Sequence, residues 1–127
     1  MTTRFGINGF GRMGRLGLRV ASGATELEPV HVNEIAGDAA CSAHLLQFDS
    51  VHGTWDHDCG AENGDMIVDG RRIGYSMNTA IADTDWSGCD IVIESSGRFR
   101  KPDQLQAYFD QGVKKVIVAA PVEGALN

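Results

Sequence analysis

Gly9-Phe10-Gly11-Arg12-Met13-Gly14 spells G-x-G-x-x-G directly after a short apolar run, Phe5-Gly6-Ile7-Asn8, and Glu34 stands twenty residues beyond Gly14. Residues of these types at this spacing hold a dinucleotide, the glycine loop taking the pyrophosphate and the acid taking the sugar. Gly9 permits the tight turn out of the strand, and Gly11 lets the backbone approach a phosphate that a Cβ would hold off. Gly14 lets the following helix settle close on the sheet. The first helical turn then offers unpaired N–H groups and the positive end of its dipole. A helix end stabilises an exposed charge by only about 0.3–1 kcal/mol, so the loop orients the ligand and a second anchor must help hold it. Glu34 is that anchor, and its charge should repel a 2′-phosphate, which favours NAD over NADP. A chance glycine cluster in a surface turn is the alternative. It would not explain why strand, helix and acid all fall in place.

The elements that must position these residues follow from periodicity. Phe5–Asn8 reads as a buried strand, and the helix after it ends at Ser22-Gly23-Ala24-Thr25. Met13, Leu16, Gly17 and Val20 recur at helical spacing and should face the sheet, leaving Arg12, Arg15 and Arg19 as a solvated stripe with Arg12 beside the pyrophosphate. A second strand spans 28–33, with Pro29 tolerable only at its start. Asp38 suits the N-cap of a helix over 39–48 that carries Leu45, Leu46 and Phe48. Residues 49–53 read as loop. Met66 to Ile73 suggests a hairpin turning at Asp69-Gly70, an excursion from the parallel plan. Asp90–Glu94 is a continuous apolar run of the kind covered on both faces. Pro102 opens a helix reaching Gly112, and Lys115–Ala119 forms the last strand. The expected architecture is α/β, a doubly wound, mostly parallel Rossmann sheet with an inserted β-hairpin, forming one domain over 1–127. Ligands of such sheets lie beyond the carboxyl ends of the strands, here Asn8–Gly11, Asn33–Glu34, Ser95–Gly97 and Ala119–Pro121.

Composition narrows the partners. The chain has 127 residues, 43% hydrophobic and 22% charged, with a net charge of −6. An acidic balance argues against nucleic acid, which demands clustered Lys and Arg. No run of 18 apolar residues or secretory leader pattern stands out, which makes the cytoplasm the default expectation. Cys41, Cys59 and Cys89 are odd in number and lack C-x-x-C spacing, so a disulfide framework is not expected. Cys41 and Cys89 read as small core residues. Cys59 lies near His52, Asp56, His57 and Asp58, but the spacing matches no usual zinc pattern and the stretch reads as polar loop.

Gly6-Ile7-Asn8-Gly9-Phe10-Gly11-Arg12-Met13-Gly14-Arg15 closely resembles the opening of glyceraldehyde-3-phosphate dehydrogenases. Residues 49–53, 61–64, 93–99 and 116–121 look like that family's later landmarks in the same order. Residues 32–35, 83–90 and 106–108 look more like its bacterial branch associated with arsenate resistance. The resemblance implies that Gly9 to Gly14, with Arg12 and Met13 foremost, meet the pyrophosphate. Asn33 and Glu34 would flank the adenosine ribose, Glu34 standing in for the usual Asp. Asn78 and Thr79 would lie near the adenine, although the usual Arg is absent there. Ser95, Ser96, Gly97 and Phe99 would line the adenine and central pocket. Ala119 and Ala120 would approach the nicotinamide, Ala119 standing where Ser is common.

The family's nucleophile lies in a Ser-Cys-Thr-Thr-Asn segment, and its base is a histidine further on; neither is present in these 127 residues. The complete enzyme would form a thiohemiacetal, pass hydride to NAD and release the acyl group to phosphate or arsenate, as a homotetramer. The chain is therefore expected to be the cofactor-binding domain of such an enzyme, binding NAD without catalysing. A stand-alone nucleotide-sensing or interaction module is the alternative, and the DNA encoding residues past Asn127 separates the two.

Overall fold

A computed structural model describes residues 2–49, 53–99 and 101–119. The chain runs β1 (Thr3–Asn8), α1 (Arg12–Ser22), β2 (Leu27–Asn33), α2 (Ala39–Gln47), β3 (Phe48–Asp49), β4 (Gly53–Thr54), β5 (Cys59–Glu62), β6 (Asp65–Val68) and β7 (Arg71–Ser76). A 3-10 turn at Ile81–Asp83, β8 (Ile91–Glu94), α3 (Pro102–Phe109) and β9 (Lys115–Val118) follow. Among the described residues, seven strands form one sheet in the order β5-β6-β7-β2-β1-β8-β9. β2, β1, β8 and β9 run parallel, and β7 joins them by pairing parallel with β2. This is the expected doubly wound core.

The hairpin is larger and better integrated than an excursion. Asp69 and Gly70 both have positive φ (51° and 81°), the two-residue turn geometry that matches strand twist. Asn63 and Gly64 repeat it (53° and 84°), so β5, β6 and β7 form a three-stranded meander whose last strand extends the main sheet. Pro29 is not at the start of β2 but inside it. Lacking an N–H, it coincides with a register shift in which Phe5 faces Pro29 and Gly6 faces His31.

α1 is rotated from the expected face. Gly14, Leu18 and Ala21 are its buried residues, whereas Met13 and Val20 are 56% and 69% exposed. The cause is Gly14: a Cβ there would fall 2.4 Å from the Gly9 carbonyl oxygen, so this position makes the closest helix–strand contact. Leu18 and Ala21, four and seven residues on, then follow it onto the sheet. Arg19 is no solvated residue either. Its guanidinium donates to the carbonyls of Leu46 (2.6 Å) and Gly53 (2.7 Å) and lies 5.6 Å from the Trp55 ring, which places a cation at the carboxyl end of α2. Arg15 donates to the Phe10 carbonyl at 3.1 Å.

Asp38 caps α2 by accepting from the Cys41 N–H at 2.9 Å. The buried face of α2 is Ala39, Ser42, Ala43 and Leu46. Cys41 is out of phase with it and exposed, contrary to its expected core placement, and Leu45 and Phe48 are also largely exposed. Phe48 and Asp49 pair with Thr54 and Gly53 instead of ending a helix and opening a loop; residues 50–52 lie outside the described residues. α3 ends at Phe109, short of Gly112, which closes the following turn at φ 96°.

The second core cluster centres on Trp86 and Tyr108, both fully buried between the sheet and α3. Trp86 lies so close to β1 that a Cβ on Gly6 would sit 2.7 Å from Cζ3 of its ring and 2.8 Å from Cys89 Sγ. A buried ring cannot give way by that much. Gly6→Ala is expected to destabilise the domain by about 1–3 kcal/mol through overpacking. Gly60→Ala, where a Cβ meets nothing within 4 Å, should be neutral; denaturant midpoints of the two variants check the contrast.

Candidate functional site

The carboxyl ends of β7, β2, β1 and β8 are joined from within by buried polar side chains. Asn33 Oδ1 accepts from Ser76 Oγ (2.5 Å), the Asn78 N–H (2.9 Å) and Thr84 Oγ1 (3.2 Å). Asn33 Nδ2 donates to Asn8 Oδ1 and to the Asn78 carbonyl, both at 2.9 Å. Asn8 Nδ2 in turn donates to Glu94 Oε1 (3.0 Å) and Tyr108 Oη (2.7 Å), and the Tyr108 hydroxyl donates to the same carboxylate oxygen at 2.5 Å. Glu94 Oε2 accepts from the Ser96 N–H (2.9 Å) and hydroxyl (2.5 Å). Glu94 is 1% exposed, yet four donors satisfy its oxygens, which is what allows a carboxylate to be buried there. Burial, then the charge and hydrogen bond of Glu94, push the Tyr108 pKa well above the ordinary tyrosine value.

Above this polar floor lies a cleft of about 170 Å³ lined by Asn8, Gly9, Gly11, Asn33, Glu34, Ile35, Ser95, Ser96 and Arg98. Three of the four expected strand ends supply it, those of β1, β2 and β8, and Ala119 at the end of β9 is not among the lining residues. Gly9 takes φ 94°, and a Cβ on it would fall 2.4 Å from the Ser96 backbone, so the two loops touch. Ser95 Oγ fastens them by donating to the Gly9 carbonyl at 2.6 Å. Gly11 is different. It is the N-cap of α1 in extended geometry, and a Cβ there would meet nothing within 4 Å. Among the described residues no side chain caps α1, so the amides of its first turn stay available to an incoming anion.

Glu34 stands at the tip of β2 with both oxygens engaged. Oε1 accepts from the Phe10 N–H at 2.5 Å and Oε2 from the Ala36 N–H at 2.8 Å. It therefore holds the glycine loop as well as facing the cleft, and a carboxylate retains further lone pairs for sugar hydroxyls. The other expected residues are placed unevenly. Phe10 points into the core and is 2% exposed, contributing its backbone. Arg12, Met13 and Gly14 form the first turn of α1 beside the cleft. Asn78 and Thr79 are not among the lining residues: Asn78 clamps Asn33 and donates to Thr84, and the Thr79 carbonyl accepts from Arg98. Gly97 makes the turn at φ 77°, and Phe99 packs against the Trp86 cluster. The Ala119 N–H donates to the Glu94 carbonyl at 3.0 Å, and Ala120 lies outside the described residues. Ile35 and Arg98 line the cleft although the motif does not contain them.

Two larger hollows, about 330 and 360 Å³, flank the hydrogen-bonded pair of His57 and Asp69. The second lies near Leu27 and Arg71, where β2 and β7 begin, the end of a doubly wound sheet that nucleotides do not use. Among the described residues no group of three or more His, Cys, Asp or Glu side chains could hold a metal ion, and no helix is long and apolar enough to cross a membrane.

A family model described as the NAD binding domain of glyceraldehyde 3-phosphate dehydrogenase matches residues 3–102. The chain belongs to this family. Glyceraldehyde-3-phosphate dehydrogenase 3 of Nostoc sp. is 54% identical over 130 residues, covering 100% of this chain and 39% of the Nostoc protein. Glyceraldehyde-3-phosphate dehydrogenase 1 of Bacillus subtilis is 42% identical over 123 residues, 95% of this chain and 36% of its own length. That of Bacillus cereus is 40% identical over 121 residues, with 94% and 36% covered. The chain thus spans well under half the length of these relatives.

Tyr108→Phe is expected to destabilise this domain by about 1–3 kcal/mol, because the buried Glu94 loses a donor. The sign with pH follows from the raised Tyr108 pKa. Above about pH 10 the unfolded tyrosine releases a proton that the native one keeps, so its stabilising contribution is complete below that pH and lost above it. The gap between wild type and variant should shrink as pH rises through that range; urea midpoints at pH 8 and above pH 10 check it.

Proposed function

We propose that the cleft binds NAD with its pyrophosphate on the first turn of α1, its adenosine ribose at Glu34 and its adenine toward Ser95–Phe99, with Asn78 and Thr79 bordering that end. The nicotinamide would extend toward Ala119 and Ala120. The observation that carries the reading is Gly11. Gly9 and Gly14 are glycine because the protein leaves no space for a Cβ, whereas at Gly11 the protein leaves space that it does not fill itself. Such a position suits a ligand that comes against the backbone. In the full-length context the domain would serve an oxidoreductase acting on the aldehyde of a phosphorylated triose, in which bound NAD accepts the hydride. What these residues contribute is orientation: the glycine loop fixes the phosphates, Glu34 fixes the ribose, and the Ser95–Gly97 turn limits where the rest can lie.

This chain by itself would bind cofactor without turning over substrate. Cys41 is exposed on α2, and burial pushes the thiols of Cys59 and Cys89 up to about 11, which disfavours the thiolate that attacks aldehydes. The same reading places the protein in the cytoplasm and the full-length form in a homotetramer. The net charge of −6 supports a dinucleotide partner over nucleic acid.

Calorimetric titration tests the site: NAD should bind, and NADP more weakly because Glu34 faces the 2′ position. Gly11→Val should unfold at the wild-type temperature and lose NAD affinity at least tenfold, since its side chain fills the ligand's space alone. Equal affinity in that variant would sink the reading. An NAD-dependent oxidation assay with glyceraldehyde 3-phosphate should give no rate above background for the 127-residue chain.

A further inference from the structure

In three places an Asn or Asp precedes a glycine: Asn8-Gly9, Asn63-Gly64 and Asp69-Gly70. Such a pair is chemically reactive, because a glycine nitrogen with no Cβ beside it can close on the preceding side-chain carbonyl carbon. The fold treats the three differently. Asn8 is 5% exposed, its amide is bonded to Glu94, Tyr108 and Asn33, and the Gly9 N–H donates to the Asn33 carbonyl at 2.8 Å. Asp69 is exposed, but one of its oxygens accepts from the Asp58 N–H at 2.8 Å and the other is bonded to His57. Those bonds, that to His57 foremost, hold its carboxyl below the ordinary pKa, and an ionised carboxylate resists attack by nitrogen. Asn63 and Gly64 are both exposed and form the β5–β6 turn at φ 53° and 84°. Among the described residues no hydrogen bond occupies the Asn63 side chain or the Gly64 N–H, and a Cβ on Gly64 would meet nothing within 4 Å.

We infer that Asn63 is a site of self-modification, the one of the three at which the chain converts its own amide to an acid. The Gly64 backbone nitrogen loses its proton and bonds to the Asn63 side-chain carbonyl carbon. The bond from that carbon to the side-chain nitrogen breaks, and the nitrogen takes up a proton and leaves as ammonia. Water then opens the cyclic imide. Attack on the side-chain carbonyl restores the main chain and leaves aspartate; attack on the main-chain carbonyl leaves the chain running through the side chain, as isoaspartate. β5 is the outermost strand of the sheet, so its turn opens locally and gives Gly64 the freedom to approach. Either product adds a negative charge beside Glu62 and Asp65, which already share Arg72 at 3.6 and 3.0 Å. Isoaspartate also lengthens a turn whose two residues match the twist of the strands, and it presents an exposed carboxylate of the class that carboxyl-methylating repair enzymes accept.

The test is peptide mapping of the native chain during incubation at pH 8, with fragmentation that distinguishes aspartate from isoaspartate. The Asn63 peptide should show the amide-to-acid mass increase at least about tenfold faster than the Asn8 peptide, since Asn8 reacts only when its cover opens. The Asp69 peptide should stay free of isoaspartate over the same period. In urea, where no fold protects either pair, Asn8 and Asn63 should react at similar rates. Asn63→Gly, whose Gly-Gly pair suits the same turn, should remove most of the ammonia that the native chain releases. Native Asn63 reacting no faster than Asn8, isoaspartate appearing first at Asp69, a gap between Asn8 and Asn63 that survives in urea, or unchanged ammonia release from Asn63→Gly overturns the inference.

Discussion

One buried carboxylate organises the functional end of this sheet. Glu94 gathers Asn8 from β1, Tyr108 from α3 and the Ser96 turn of its own loop, and Asn8 extends the connection to Asn33 on β2. Removing an ionised acid from water costs several kcal/mol, and only well-placed partners offset that. All four donors here lie at 2.5–3.0 Å. The ends of the strands, where a parallel sheet would otherwise fray, are consequently tied to one another. The cleft above inherits its shape from that tie, because Ser96 and Gly9 are in contact, Ser96 bonded to Glu94 and the Gly9 N–H to the Asn33 carbonyl.

The arrangement separates two tasks that a cofactor cleft must combine. Its floor is polar but satisfied, and makes no demand for a ligand. Its rim is the reverse: an uncapped helix end, a glycine with open space beside it, an exposed isoleucine and a guanidinium held at both sides. Glu34 links the two levels. Its hydrogen bonds to Phe10 and Ala36 fix the backbone of the loop, and its charge faces the region where a sugar would lie.

What the sequence revealed and what it concealed divide along the distance between interacting residues. The glycine loop, the cap at Asp38 and the turn at Asp69-Gly70 are local signals, and each element stands where its residues place it. The β5–β6 turn carried an equally local signal in Asn63-Gly64, but its first strand, Cys-Gly-Ala-Glu, shows no alternation to support it. The rotation of α1 was not legible, because the apolar stripe at Met13 and Val20 is genuine while the contact at Gly14 that sets the rotation is tertiary. The polar network was hidden for a plainer reason. Asn8 finds Asn33 across 25 residues, Glu94 across 86 and Tyr108 across 100. The reach of Arg98 to Thr79 is likewise a property of the folded sheet and of no motif.

Those same separations bear on how the molecule assembles. The β5–β7 meander turns through adjacent two-residue loops, and hairpins of that kind close in about 1–10 μs. The junction at Asn8 must wait until the first strand and the third helix have both arrived, after the entropy of closing a loop of nearly the whole chain has been overcome. The polar floor beneath the cleft is thereby completed late, by a contact that joins residues 100 positions apart.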